Sequence, residues 1–398
     1  MKPNPCLENI APGYLFPEIA KRRNAYQAAH PDVRVISLGV GNTTEPLFGT
    51  IADGLVREAK ALATADGYSG YQDEGREDLR KGISAAFYGG KFDADEIFIS
   101  DGAKCDVGRL QLLFGRDVPV AVQDPAYPVY VDGSVLIGAG GAYVDGQGYA
   151  GITYLPCTPE GDFFPDLTKV RPGSLLYICS PNNPTGYVMT RAQLETLVSF
   201  ANHNGCIILF DAAYAEFIRD AALPKTIFDI AGAETCAIEI NSFSKPAGFT
   251  GVRLGWTVVP FGLAYDGGGS VNKAWSRVTA TIFNGASNVA QAGGLAALSP
   301  EGLKEIRALT DYYLENAKRI KQTLEARGIW TIGGDNSPYI WARFPGRTSW
   351  DVFDELLNEY HIVTTPGSGF GPAGESFVRF SAFGHHADVE EACARLAK

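Results

Sequence analysis

Two clusters of polar residues in the sequence could bind a ligand from rigid turns. Ser180-Pro-Asn-Asn-Pro-Thr-Gly186 carries an amide donor, Asn183, between prolines that restrict the backbone. Asp211-Ala-Ala-Tyr214 begins with an aspartate that directly follows an apolar run, where an unpaired buried carboxylate would be costly. The plain alternatives are an ordinary turn for the first cluster and a helix cap for Asp211.

Two further clusters have the composition of an anion site with an amine inside it. Ser242-Phe-Ser-Lys-Pro246 places a lysine between hydroxyl groups and is followed by Arg253. Residues 100–106 lead from an apolar run through a glycine turn into a helical pattern, which would direct backbone N–H groups and the helix dipole at an anion. A solvated surface lysine and a helix cap at Asp101 are the alternatives here.

The four clusters together fit one ligand. An aspartate can pair with a pyridinium nitrogen, a tyrosine and an asparagine can hold a phenolic oxygen, and a lysine can form an imine. A helix N-terminus with serine and arginine can hold a phosphate. Pyridoxal 5′-phosphate carries all of these groups, so the sequence predicts that cofactor. No metal site is predicted, because the motifs of zinc proteases, P-loops and paired cysteines are absent.

The elements that must position these residues are read from hydrophobic periodicity. Residues 118–124, 175–180, 206–211 and 236–242 are short, continuously apolar runs, which are typical of strands covered on both faces. Each cluster lies at or just beyond the carboxyl end of a predicted strand, where open α/β sheets bind ligands. A mostly parallel sheet is therefore expected.

Helical patterns divide the remainder of the chain. A capping box of Thr190 and Gln193 starts a predicted helix over 190–203, before Gly205, and a long pattern over 301–327 ends at Gly328. Short strands follow, so we expect a large α/β domain over residues 46–270 and a smaller α+β domain over 271–398. Residues 1–45 are expected to pack on the small domain and on a second subunit.

Composition limits the class of protein. The chain has 398 residues, with 45 acidic and 34 basic side chains giving a net charge of −11, which disfavours nucleic acid and anionic membranes as partners. The seven cysteines are scattered singly, as in a reducing compartment, and neither a signal peptide nor a membrane span is recognised. A cytoplasmic enzyme acting on small molecules is expected.

The motifs also resemble a known family. The runs S-P-N-N-P-T-G, D-A-A-Y, S-F-S-K-P, G-V-R-L-G and V-R-F-S resemble the fold-type I pyridoxal-phosphate aminotransferases over essentially the whole chain. Within that family, residues 13–16, 100–104, 239–246 and 281–287 are similar to the LL-diaminopimelate aminotransferases, which serve a shortened lysine pathway. The resemblance implies a mostly parallel seven-stranded sheet and ping-pong exchange of LL-2,6-diaminopimelate and 2-oxoglutarate with tetrahydrodipicolinate and glutamate.

The resemblance implies a role for each site residue. Lys245 would form the imine, Asp211 would hold the pyridine nitrogen, and Tyr127 would stack on the ring. Tyr214 and Asn183 would bind the ring hydroxyl, with Lys245, Asp211 and Tyr214 as the catalytic set. The phosphate ligands would be Ala103, Lys104, Ser242, Ser244 and Arg253. The substrate would be bound by Gly41, Lys104, Asn183 and Arg379, the last clamping its α-carboxylate.

Similar enzymes build each site from two subunits. Tyr14, Tyr71, Glu74 and Asn284 would then reach the partner's cofactor or substrate in a homodimer. Gln72 departs from the glycine that relatives tend to carry after the tyrosine, which leaves the lining of the distal pocket open. The alternatives with the same core residues are an aspartate, alanine or aromatic aminotransferase, or a lyase of this fold.

Overall fold

A computed structural model describes residues 1–10 and 15–398, and it has the expected α/β architecture. Its α-helices are Pro5–Glu8, Leu15–Ala29, Gly49–Ala61, Glu77–Tyr88, Ala103–Leu110, Val129–Leu136, Arg191–His203, Val271–Ile282, Asn288–Ala297, Pro300–Ala326, Ser349–Tyr360 and His386–Leu396. Short 3₁₀ turns connect several of them.

A seven-stranded sheet forms the centre of the molecule. Its strands, from one edge to the other, are Ile97–Ser100, Gly255–Val258, Ala237–Ser242, Ile207–Asp211, Leu175–Cys179, Val120–Asp124 and Ile152–Pro156. Gly255–Val258 runs antiparallel to both neighbours, and all the other neighbouring pairs are parallel. The predicted apolar runs therefore correspond to adjacent strands, and their carboxyl ends meet at one edge.

Burial on both faces explains why these strands are apolar throughout. In Leu175–Cys179, Leu176 and Ile178 belong to one buried cluster while Tyr177 and Cys179 belong to a second cluster on the opposite face. Helix Arg191–His203 contributes Leu194, Leu197, Val198 and Ala201 to the first cluster. Alternating side chains along a strand thus pack against two separate layers of helices, one on each face of the sheet.

A second sheet is smaller and antiparallel. Its strands, in order, are Thr331–Gly333, Tyr339–Arg343, Phe377–Ser381 and Thr365–Pro366. Two short ladders join Ile36–Ser37 to Ile362–Val363 and Tyr143–Val144 to Gly148–Tyr149. Through Ile36 and Leu38, which lie in the buried cluster of the small sheet, the N-terminal segment packs on this part of the chain.

The long helix Pro300–Ala326 connects the two cores. Its residue Ile306 lies in the core of the seven-stranded sheet, whereas Ala317, Ile320 and Leu324 lie in the core of the small sheet. The first part of this helix therefore packs on the core of the large sheet and its later part on the core of the small sheet. Trp275, from the earlier helix Val271–Ile282, also packs on the large sheet. The domain boundary expected at residue 270 stays a proposal.

Within the described residues, no helix is long and apolar enough to cross a membrane. All seven cysteines fall in the described part of the chain, and there they are unpaired thiols, five of them buried.

The capping box of helix Arg191–His203 gives a test of local stability. Thr190 Oγ1 accepts from the Gln193 N–H, and Gln193 Oε1 accepts from the Thr190 N–H at 2.9 Å. Thr190→Ala leaves an N-terminal amide of the helix without its partner and should lower the free energy of unfolding by about 1 kcal/mol, measured by urea denaturation.

Thr196→Ala is the matched control. The Thr196 hydroxyl donates to the Ala192 carbonyl within the same helix at 2.9 Å and caps no terminal amide. Its loss should change stability by less than about 0.5 kcal/mol. Equal destabilisation by both substitutions would contradict the role of the cap.

Candidate active site

The four polar clusters meet in one cavity at the carboxyl ends of the parallel strands. The cavity has a volume of about 340 Å³ and is lined by residues of both sheets, including Asp211, Lys245 and Arg379. Asp211 ends strand Ile207–Asp211, Lys245 follows strand Ala237–Ser242, and Arg379 lies in strand Phe377–Ser381. Strand topology thus brings together residues that lie far apart in the sequence.

Asp211 is the one acid among the described residues that line the cavity, and it is only 7% exposed. It accepts a hydrogen bond from the Tyr130 hydroxyl at 2.7 Å and another from the Ala213 N–H at 3.0 Å. Burial raises the pKa of the Asp211 carboxyl, while these two donors act in the opposite direction. The Asp211 carboxyl can therefore pair with a protonated group of a ligand in the cavity.

Lys245 projects its amine into the same cavity. Its Nζ donates to the Gly41 carbonyl oxygen and lies 5.3 Å from the centre of the Phe383 ring. Burial, reinforced by the positive charges of Arg379 and Arg253, lowers the pKa of the amine to about 7. Near neutral pH a large fraction of Lys245 is consequently a neutral nucleophile and base.

An anion pocket is formed where helix Ala103–Leu110 meets Arg253. The helix begins at Gly102 without a side-chain cap from any described residue, so its first N–H groups remain available. A Cβ at Gly102, whose φ is +120°, would stand 2.3 Å from Arg253 Nη2, which makes glycine necessary there. Asp101, expected as a possible cap, instead ion-pairs with Arg109 at 2.7 Å. Helix dipole and guanidinium thus converge on one point.

Hydroxyl groups complete this pocket. Arg253 Nη1 donates to Ser244 Oγ at 3.3 Å, and the Ser244 N–H donates to Ser242 Oγ at 2.9 Å. Ala103 and Lys104 line the cavity beside them. The donors and positive charges match a phosphate group.

A second cationic position lies across the cavity. Arg379 is 1% exposed; its Nη1 donates to Asn183 Oδ1 at 2.6 Å and its Nη2 donates to the Gly39 carbonyl at 2.7 Å. Its Nε has no hydrogen-bond partner among the described residues. A buried guanidinium without a facing carboxylate favours an anionic ligand.

Two aromatic residues expected at the site also line the cavity. Tyr127 lies 5.9 Å from Tyr130, ring centre to ring centre, in an edge-to-face arrangement. The Tyr214 hydroxyl lies 2.8 Å from the Tyr339 hydroxyl. Gly41 lines the cavity as well, and a Cβ there would be 2.6 Å from the Tyr339 oxygen.

Of the residues expected to reach a partner, Tyr71, Glu74 and Asn284 do not line this cavity. Tyr71 is 84% exposed and Asn284 is also exposed. Glu74 accepts from the Ser276 hydroxyl at 2.8 Å and lies 3.6 Å from Arg80 Nη1. Tyr14 falls outside the described residues.

Sequence reasoning missed Tyr130 and Tyr339. Tyr130 stands three residues after Tyr127 at the start of helix Val129–Leu136, a spacing that could have indicated a shared face. Tyr339 lies in a strand of the small sheet, and no sequence motif connects it to the other clusters. Its approach to Tyr214 depends on the contact between the two sheets.

Comparison with known proteins identifies the family. Residues 33–396 match the model of aminotransferase class I and II, and the chain belongs to that family. Its architecture is that of fold-type I pyridoxal-phosphate enzymes; a Thermus thermophilus aspartate aminotransferase shares the fold at 19% identity with a TM-score of 0.85, covering 100% of this chain and 99% of that one.

More similar relatives carry a specific name. The chain is 53% identical to the "Probable LL-diaminopimelate aminotransferase, chloroplastic" of Oryza sativa subsp. japonica, covering 99% of this chain and 85% of the relative. It is 49% identical to the LL-diaminopimelate aminotransferase of Protochlamydia amoebophila (strain UWE25), covering 100% and 97%. The solved structure of the Chlamydomonas reinhardtii L,L-diaminopimelate aminotransferase matches with a TM-score of 0.96 at 54% identity, covering 99% and 98%.

The lowered pKa of Lys245 predicts selective reactivity. At pH 7 about half of an amine with a pKa near 7 is neutral, against roughly one part in three thousand for an ordinary lysine. Dilute acetic anhydride should therefore acetylate Lys245 first in the protein freed of bound small molecules, with a rate that rises between pH 6 and 8. Peptide mass spectrometry measures the site and the profile.

Lys304 is the control for this experiment, because it lies on the surface in an ion pair with Glu301. The same pH profile at Lys245 and Lys304 would contradict the inferred environment of Lys245.

Proposed function

We propose that the chain is a pyridoxal-phosphate-dependent aminotransferase that interconverts LL-2,6-diaminopimelate and 2-oxoglutarate with tetrahydrodipicolinate and glutamate. The observation that carries the proposal is Lys245, held in one cavity between the anion pocket at Arg253 and the buried guanidinium of Arg379. The substrate is inferred from the names of relatives at 49–54% identity that cover nearly all of this chain.

The donors and acceptors in the cavity fit the cofactor. The helix N-terminus at Gly102, with Ser242, Ser244 and Arg253, would hold its phosphate. Asp211 would pair with the protonated ring nitrogen, because a buried carboxylate lacking a cationic partner is otherwise costly.

Other residues would contact the cofactor ring and add to its phosphate site. Asn183 accepts from Arg379 through Oδ1, which leaves its Nδ2 to donate to the ring hydroxyl beside Tyr214. Tyr127 would stack on one face of the ring, and Ala103 and Lys104 would supply amide donors to the phosphate. Asn284 of a second subunit would add a contact from outside this chain.

The protein's own residues would then divide the work. Bound pyridoxal phosphate supplies a ring that withdraws electrons and so acidifies the substrate Cα–H bond. Arg379 binds the substrate α-carboxylate and orients that bond. Lys245, neutral near pH 7, would take the Cα proton as a general base and deliver it to the cofactor carbon C4′ within the same half-reaction. In the other half-reaction it would move a proton in the opposite direction, from C4′ to Cα. Asp211 keeps the ring nitrogen protonated, which favours the electron withdrawal.

Both half-reactions use the same cavity in turn, so ping-pong kinetics are expected. The first amino acid must leave as its keto acid before the second substrate enters. Arg379 would bind the α-carboxylate of all four substrates, since each carries one.

Selectivity for diaminopimelate would come from a second subunit in a homodimer. The far end of this substrate carries an ammonium group, which needs an acidic partner once water is excluded. Glu74 is our candidate, and Tyr14 and Tyr71 would line the same distal space. Tyr68 and Tyr71 are 73% and 84% exposed in the single chain, as residues at a subunit contact would be. A cytoplasmic location also stays a prediction, supported by the unpaired thiols.

The cofactor assignment predicts a coloured protein. Purified protein should absorb visible light, and reduction with borohydride should fix the cofactor on Lys245, as located by peptide mass spectrometry. Lys245→Ala should lose the covalent link and nearly all turnover while it keeps its fold by circular dichroism. A colourless wild type that does not take up added pyridoxal phosphate would contradict the assignment.

The substrate assignment is tested with a panel of amino donors and 2-oxoglutarate. The panel contains the LL, meso and DD isomers of diaminopimelate, together with aspartate, alanine, an aromatic amino acid and, in the reverse direction, glutamate with tetrahydrodipicolinate. The LL isomer should have the highest kcat/KM. Preference for aspartate, alanine or the aromatic donor would favour the alternative aminotransferases.

Glu74→Ala in the same panel tests distal recognition. Truncating one member of a buried charge pair should lower kcat/KM for LL-diaminopimelate about 30-fold or more, whereas glutamate has no distal ammonium and should be affected much less. Asp73→Ala, a neighbouring exposed carboxylate, is the control. Because Glu74 also contacts Ser276 and Arg80, equal losses for both donors would mean a structural role only.

A further inference from the structure

Tyr339 occupies a position between the two sheets that none of the roles above includes. It begins strand Tyr339–Arg343 of the small sheet, is 1% exposed and lines the cavity. Its hydroxyl lies 2.8 Å from that of Tyr214, at the end of the large sheet. The two rings meet edge to face at 5.2 Å. Among the described residues, the Tyr339 hydroxyl is hydrogen-bonded to the Tyr214 hydroxyl.

The position of this hydroxyl is restricted from two sides. A Cβ on Gly41 would stand 2.6 Å from the Tyr339 oxygen, so the phenol is in close contact with the backbone segment that accepts from Lys245 Nζ. The Arg379 guanidinium carbon lies 4.3 Å from the centre of the Tyr339 ring, within cation–π distance. The Tyr339 side chain therefore cannot move its hydroxyl away from Tyr214 without disturbing these contacts.

The chemistry of the pair decides which hydroxyl donates. Each phenol has one proton, and burial raises the pKa of both, so both are neutral at physiological pH. If Tyr214 donates its proton to the ring oxygen of the cofactor, as the proposed function requires, its oxygen can only accept from Tyr339. The second hydrogen bond would make Tyr214 a better donor, because neighbouring hydrogen bonds polarise one another.

We propose that Tyr339 is a positioning residue whose hydroxyl donates to the Tyr214 oxygen and thereby directs the Tyr214 proton at the cofactor's ring oxygen. The inference rests on the proposed function, since it concerns the same cofactor. Tyr339 itself touches neither the reacting carbon nor the transferred proton in this role. It acts through Tyr214.

The proposed hydrogen bond should affect the protonation of the nitrogen that joins Lys245 to the cofactor in the cofactor-loaded protein. A hydrogen bond to the anionic ring oxygen favours the state in which the nitrogen shared by Lys245 and the cofactor is unprotonated. Weakening that bond should favour the protonated state, so the pH at which the visible absorbance changes should rise.

The experiment measures this midpoint by absorbance between pH 5 and 10 in the cofactor-loaded protein without substrate. Tyr339→Phe removes one oxygen and keeps the ring beside Arg379, so we expect the fold and the KM for amino donor to remain close to wild type. The midpoint should rise by about half a unit to one unit, the size of one neutral hydrogen bond. In the same variant kcat should fall more than KM changes.

Two further variants test the route of the effect. Tyr214→Phe should raise the midpoint at least as much, and the double variant Tyr214→Phe/Tyr339→Phe should show no additional rise, because Tyr339 acts only through Tyr214. Tyr313→Phe is the matched control: its hydroxyl is in the same aromatic cluster but accepts from the Thr44 and Glu45 N–H groups. It should leave the midpoint unchanged.

The outcomes separate this inference from the proposed function. A wild type without a visible band would overturn the cofactor assignment and this inference with it. A titrating band whose midpoint is unmoved in Tyr339→Phe overturns this inference alone. An additive rise in the double variant, or an equal rise in Tyr313→Phe, also overturns it, because the effect would not pass through Tyr214.

Discussion

Positive charge enclosed at the carboxyl edge of the parallel strands is the constraint on which the rest of the structure depends. Lys245, Arg253 and Arg379 line one cavity of about 340 Å³, and Asp211 is the one acid among the described residues that line it. Burial, and then repulsion from Arg379 and Arg253, lowers the pKa of the lysine amine to about 7. The same excess charge favours ligands that bring a phosphate and a carboxylate, so binding and reactivity have a common electrostatic origin.

Backbone geometry makes this concentration of charge possible. Gly102 allows the Arg253 guanidinium to approach the first turn of a helix, where amide dipoles and the cation face the same anion. Arg379 is held by carbonyl and amide oxygens and lies between the rings of Phe370 and Tyr339, at 4.9 and 4.3 Å from their centres. These partners orient the guanidinium without neutralising it, which preserves its attraction for an anionic ligand.

The small sheet holds the two cavity residues Tyr339 and Arg379 as one unit. Tyr339 and Arg379 lie on neighbouring antiparallel strands, where Trp341 pairs with Arg379 and Tyr339 pairs with Ser381. A displacement of this sheet would therefore move the guanidinium and the Tyr339 hydroxyl together. Glu74 is separated from this unit, because it lies on a loop outside the cavity of its own chain.

The amino-acid sequence by itself determined the parallel strands, the capping box at Thr190 and the polar clusters after each strand, because these depend on local periodicity and on neighbours within a few residues. It also carried the family resemblance through short motifs. Only the structure shows that the helix at Gly102 begins without a side-chain cap from the described residues while Asp101 pairs with Arg109. Only the tertiary structure decided that Tyr130 contacts Asp211 and that Tyr339 contacts Tyr214. Tyr339 and Tyr214 are 125 residues apart. Their contact arises from the packing of two sheets, for which a local pattern contains no signal.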